Sequence, residues 1–152
     1  MIDSLQANKF FGNEKTSFTP NIDNLIKNGT YFSQTIGSAD ATLLSWPGIF
    51  TGKFPFKTGI RSLRFHKLDK NISTYFAQLK NDGYHFYADI PTLATKIGLF
   101  PEFENDDYHY DSHFYLFDGL GEKIISLLDS KKMKSPWIYY IHLDDLHYPI
   151  VV

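Results

Sequence analysis

Three stretches of the chain place side chains suited to ester chemistry where ordered structure begins or ends. Residues 42–59, TLLSWPGIFTGKFPFKTG, open with Thr42 after the small polar run Gly37-Ser38-Ala39-Asp40 and lead through Ser45-Trp46-Pro47 into a helix start. A hydroxyl just ahead of a helix lies beside unpaired backbone N–H groups and the positive end of the helix dipole, so an anion or an incipient alkoxide is stabilised there. That suits phosphoryl or sulfuryl transfer, although Thr42 or Ser45 in that position can also serve simply as a helix cap. Asp3 follows Met1-Ile2, which reads as the end of a short buried strand, and open α/β sheets carry ligand-binding groups at that end. As a single residue it also suits a turn. The apolar run 137–143 ends in Asp144, Asp145 and His147. If these strand ends share one edge of a sheet, three separate segments converge on one crevice. A further group, Asp106, Asp107, His109, Asp111 and His113, offers metal donors. It has no spacing typical of a metal site, and a solvated acidic loop is the plainer reading.

The elements that must hold these residues alternate in type. Thr19-Pro20-Asn21 starts a helix with Ile22, Leu25 and Ile26 on one face, and Gly29 stops it. Residues 30–36 read as a strand from their β-branched and aromatic content. Residues 61–71 form a polar connector in which His66 is expected at the surface. Ser73 can cap a helix that buries Tyr75, Phe76 and Leu79 and ends at Gly83, before a strand at 84–88. The pattern breaks down over 91–117, read as an irregular insertion. A helix over 120–128 carries the apolar stripe Ile124, Ile125, Leu127 and Leu128, with Lys131, Lys132 and Lys134 complementing the negative end of its dipole. The run 137–143 has the length and composition of a strand covered on both faces. Strand alternating with helix predicts βαβ units, hence an α/β three-layer sandwich with a mainly parallel sheet.

Composition limits the partners. The 152 residues, 43% hydrophobic and 17% aromatic, can form one domain with a core. Fifteen basic against 17 acidic residues, without a basic run interleaved with aromatics, do not suggest nucleic acid. The chain has no cysteine, so disulfides, thiolate metal sites and cysteine nucleophiles are out. No apolar stretch reaches the ~18 residues of a membrane span, and Met1-Ile2-Asp3 does not read as a signal peptide. The expectation is a soluble chain of undetermined location.

The segments IDSL, FFG, TPNIDNLIKNGTYF, ATLLSWPGIFTGKFPFKTGI, LKNDGY and PWIYYIHLDDLHYP, in that order, resemble the N-terminal half of the sulfatase-like alkaline phosphatase superfamily. The resemblance covers nearly the whole chain. It implies that Thr42, nine residues before Thr51, is the nucleophile and also a ligand to the metal. Asp3 corresponds to the first metal-ligand Asp, His147 to a substrate-contacting His, and Asp145 to the family position beside it. The implied cofactor is a divalent ion, Zn, Mn, Mg or Ca. The implied partner is an anionic ester, whether or not linked to a glycan or lipid.

Departures from the family pattern bear on the chemistry. Sulfatases carry Cys or Ser at the nucleophile, oxidised to formylglycine, and Thr42 cannot give that aldehyde. Trp46 stands where an Arg is usual, Ser4 where a second Asp is usual, and no GKWH-like segment follows Tyr84. A Thr nucleophile resembles the phosphodiesterase, phosphonate-hydrolase and phosphoglycerol- or phosphoethanolamine-transferase branches. The implied reaction is a metal-assisted in-line displacement through a phospho-threonyl intermediate, resolved by water or an acceptor alcohol. The family's remaining metal ligands, an Asp-His pair included, fall beyond the equivalent of Val152. The expectation is therefore a fragment that is inactive by itself. The alternative is an inactive remnant, or a module binding an anionic glycan or a protein.

Overall fold

A computed structural model of the protein describes residues 1–62, 67–111 and 114–147. His66 and His113 lie outside the described residues. The chain forms two compact units, Ser4–Ile36 and the remainder, which begins with Met1–Asp3 and resumes at Gly37.

In the unit Ser4–Ile36, α1 spans Ala7–Phe10 and α2 spans Pro20–Asn28. Pro20 occupies the first helical turn, where its missing N–H costs nothing, and α2 stops before Gly29. Lys15 pairs with Asp23 at 2.5 Å, and the rings of Phe10 and Phe11 pack on Tyr31. The strand expected over 30–36 is absent: Phe32 and Ile36 are 74% and 93% exposed. Composition favours extended backbone there, but a strand exists only through pairing, and no described strand pairs with this segment.

The other unit contains α3 (Thr42–Thr51), α4 (Pro55–Thr58), α5 (Tyr75–Asn81), β1 (His85–Pro91), a 3-10 turn (Thr92–Ile97), β2 (His109–Tyr110), a second 3-10 turn (Leu116–Asp118), α6 (Leu120–Asp129) and β3 (Trp137–Ile141). The sheet order is β2-β1-β3, and both pairings are parallel. A parallel bridge from Ile2 to Leu143 adds Met1–Asp3 beside β3. All strand ends therefore point the same way, and Asp3 comes out beside the end of β3. Strand β1 runs past the expected 84–88 because Ile90 and Pro91 find partners in His109 and Tyr110. The insertion at 91–117 thus contributes the third strand.

Successive residues of β1 face opposite sides of the sheet. Phe86, Ala88 and Ile90 join Leu43, Trp46 and Phe50 of α3 and Phe76 of α5 in the core. Phe50 lies 4.9 Å from Phe76 and 5.3 Å from Phe100, centroid to centroid. On the opposite face Asp89 is fully buried, 2.6 Å from Lys123 of α6 and accepting a hydrogen bond from the Tyr139 hydroxyl. Burial pushes the Asp89 carboxyl upward, and its bonds to Lys123 and Tyr139 oppose that shift. Helices on both sides of a parallel sheet make the unit a three-layer α/β fold. Thr74, one residue later than expected, caps α5 by accepting from Ala77 N at 3.3 Å. No helix among the described residues is long and apolar enough to cross a membrane.

Candidate active site at the strand ends

Asp3 is fixed by backbone pairing. Its N–H donates to Leu143 O at 2.9 Å, and Leu143 N–H donates to Met1 O at 2.9 Å. Thr42 is the first residue of α3; the cap position is Ala41, and no side chain caps the helix. The Thr42 hydroxyl instead donates to Asp3 Oδ2 at 2.8 Å. The turn before α3 is held by Ser45 Oγ donating to Ala39 O at 2.9 Å. Helix and turn are in close contact at Gly48, where an added Cβ would fall 2.1 Å from Ser38 Oγ.

Alternation along β3 brings in two more groups. Ile138 and Tyr140 face the core, and two further steps of two reach His142 and Asp144. His142 Nε2 lies 3.1 Å from Asp144 Oδ1 and 3.4 Å from Asp3 Oδ2. The imidazole is 1% exposed and meets the Trp46 indole edge to face, with centroids 4.8 Å apart. The backbone N–H of His142 donates to Asp89 O at 2.9 Å, and its backbone carbonyl accepts from the Tyr110 hydroxyl. Burial, reinforced by the charges of Asp144, Asp145 and Asp89, pushes the Tyr110 phenol upward, so it stays protonated as a donor.

These groups open into a cleft of about 140 Å³. Its polar lining is Asp3, Thr42, His142, Asp144 and His147, and Leu43, Trp46, Pro91, Leu93 and Tyr115 complete it. No lysine or arginine is among the described lining residues. Of the residues singled out in the sequence, Asp3, Thr42 and His147 meet here. Asp145 does not line the cleft: its Oδ1 accepts from Leu116 N at 3.0 Å, and Asp144 lines the cleft instead.

Asp3, His142 and Asp144 present three donor atoms within 4.8 Å of one another, the one such group among the described residues. The acidic loop forms none there: Asp107 pairs with Lys123 at 3.3 Å, and Asp111 accepts from Thr92 at 3.4 Å. His142 escapes sequence reading because it sits in an apolar run. The available signal was strand parity from Tyr140, which assigns His142 and Asp144 to one face and Asp145 to the other.

A family model described as Sulfatase matches residues 1–151. No curated protein and no solved structure matches the chain.

Proposed function

The chain belongs to the sulfatase family, hydrolases of sulfate esters, and on that premise we propose that it is a metal-dependent hydrolase or transferase that uses Thr42 as nucleophile on an anionic phosphate, phosphonate or sulfate ester. The observation that carries this reading is the 2.8 Å bond from the Thr42 hydroxyl to Asp3 at the start of α3, inside a cleft shared with Asp144, His142 and His147. Phosphorus esters are favoured over sulfate esters because a threonine cannot become the formylglycine that sulfatases use.

The donor set fits a divalent cation. Asp3 and Asp144 supply carboxylate oxygens, the Thr42 hydroxyl adds a third oxygen, and the His142 nitrogen lies within reach. A bound ion would supply Lewis-acid neutralisation of charge on the ester and on the reacting hydroxyl.

The chain's own residues account for the rest. Asp3 accepts the Thr42 hydrogen bond, fixing the hydroxyl with its lone pairs free for attack and offering an acceptor for the departing proton. Thr42 Oγ1 forms a bond to phosphorus or sulfur as the ester oxygen on the far side leaves with its electron pair. His147 lines the same cleft and supplies a proton to that leaving oxygen. Water or an acceptor alcohol then attacks the threonyl ester and gives its proton to His147, the bond to Oγ1 breaks, and Oγ1 takes back the proton held by Asp3. The nucleophile lies at the positive end of α3, which favours the anionic group.

The test is to assay the full-length protein with Mn²⁺ on an aryl phosphodiester, an aryl phosphonate and an aryl sulfate, alongside Thr42→Ala and Thr42→Ser; residues 1–152 alone are expected to show no turnover. The expected order is phosphorus ester above sulfate. Thr42→Ala should lose at least about 10³-fold in kcat and Thr42→Ser should keep part of it. Equal turnover by wild type and Thr42→Ala removes Thr42 from the reaction.

A further inference from the structure

The turn that follows α3 holds two aromatic rings out of the core. In Lys53-Phe54-Pro55-Phe56-Lys57 the phenylalanines are 60% and 64% exposed, their ring centroids 5.9 Å apart and their planes within 8° of parallel. The backbone that carries them is tied down. Lys57 N–H donates to Phe54 O at 2.9 Å, the buried Thr58 hydroxyl donates to Pro55 O at 2.9 Å, and Asp69 N–H donates to Thr58 O at 3.1 Å. Pro55 fixes the backbone φ between the two rings. Two large apolar side chains kept at the surface by an ordered turn mark an interaction surface. Charge identifies the partner. From Ala41 to Leu68 the sequence has five basic residues, Lys53, Lys57, Arg61, Arg64 and Lys67, and no acidic one, which leaves ten basic against 17 acidic residues elsewhere. Lys53 and Lys57 are exposed, and neither ammonium has a carboxylate partner among the described residues. Screening confines exposed charges to a range of about 10 Å, so at close contact this basic segment acts apart from the acidic remainder.

We propose that residues 53–57 form a peripheral membrane anchor, in which Phe54 and Phe56 insert into the interface of an anionic bilayer while Lys53 and Lys57 meet its headgroup phosphates. An anionic lipid surface matches both features of the turn, because its phosphates take ammonium groups and the acyl layer directly beneath takes apolar rings. Apolar insertion and a basic patch together supply the two signals that stable anchoring needs. The turn lies at the end of α3 opposite Thr42, roughly 15 Å along the helix axis, and none of its residues lines the cleft. Docking is therefore separate from the ester chemistry and does not depend on it.

Sedimentation of the full-length protein with lipid vesicles tests this. Phosphatidylcholine vesicles containing phosphatidylglycerol should carry the protein down, and vesicles of phosphatidylcholine alone should bind it about 10-fold less well. The double variants Phe54→Ser/Phe56→Ser and Lys53→Gln/Lys57→Gln should each lower binding to the anionic vesicles by at least about 10-fold. Their urea midpoints should stay at the wild-type value, because all four side chains are exposed. Phe54→Trp should move its indole emission to shorter wavelength when anionic vesicles are added. Failure of the wild type to bind anionic vesicles overturns the proposal, as does an affinity unchanged in both double variants or an unshifted Phe54→Trp emission. Self-association of the wild type that disappears in Phe54→Ser/Phe56→Ser, without any vesicle binding, assigns the turn to a second copy of the chain and overturns it as well.

Discussion

Asp89 is a fully buried carboxylate under α6 whose charge is met by Lys123 and Tyr139. Removing one member of a buried pair leaves the other uncompensated, at about 3–5 kcal/mol. Lys123 keeps some solvent and a second partner in Asp107, so Asp89→Ala belongs at the low end, about 3 kcal/mol in urea unfolding. The pH dependence has a definite sign. Burial raises the carboxyl above its ordinary 3.8, so the folded state holds that proton more tightly than the unfolded chain does. The resulting stabilisation is present below about 3.8 and is lost as pH rises through the raised value. Asp89→Asn removes this downward slope. Glu104 works the opposite way, because hydrogen bonds from His85 and Lys134 hold it below its ordinary 4.5. Its contribution is present above about 4.5 and lost as pH falls through the lowered value. Glu104 is largely accessible to solvent, so Glu104→Gln should flatten the acid limb only slightly, within the ~0–1 kcal/mol of surface pairs. Urea midpoints across the acid range measure both slopes.

At the scale of elements, the junction of α3 with the turn before it sets the geometry of the cleft. Gly48→Ala gains up to about 1 kcal/mol of helix propensity but forces a methyl to within 2.1 Å of Ser38 Oγ and 2.8 Å of Ser38 Cβ. Overpacking of that kind costs about 1–3 kcal/mol, so the substitution should destabilise on balance. Moving Ser38 also shifts the Ala39 carbonyl that receives Ser45, and with it the start of α3. Mn²⁺ affinity should therefore drop even where the urea midpoint moves little, and an unchanged affinity would show that the turn does not set the site. The same junction marks what the sequence discloses. Thr42 announces itself as a hydroxyl at a helix start, and the strand ends at Asp3 and Asp144 follow from apolar runs that stop. Three features are not local and stay hidden: pairing, which is missing over 30–36 and lengthens β1; parity, which turns Asp144 rather than Asp145 inward; and the buried polar residues Asp89 and His142, which look like interruptions of apolar strands until the opposite element is known.

The whole molecule offers an anion little attraction at the cleft. Its net charge is −2, and the cleft gathers two carboxylates with no lysine or arginine among its described lining residues. An anionic ester approaching Thr42 therefore meets repulsion from Asp3 and Asp144 at short range, in a partly desolvated cleft where such repulsion is weakly screened. His147 and the positive end of α3 are the favourable groups, and a helix end contributes only about 0.3–1 kcal/mol where solvent reaches it. Two opposing carboxylates outweigh that, so binding should be ordered, with the divalent ion first and the anion second. Calorimetry with inorganic phosphate should show no measurable heat without added ion up to millimolar concentration, and saturable binding once Mn²⁺ is present. Asp144→Asn should reverse part of this dependence, weakening Mn²⁺ uptake while lowering the ion-free barrier to phosphate. Tight phosphate binding without any ion, unaffected by Asp144→Asn, would place the anion elsewhere on the molecule and remove the charge argument for this cleft.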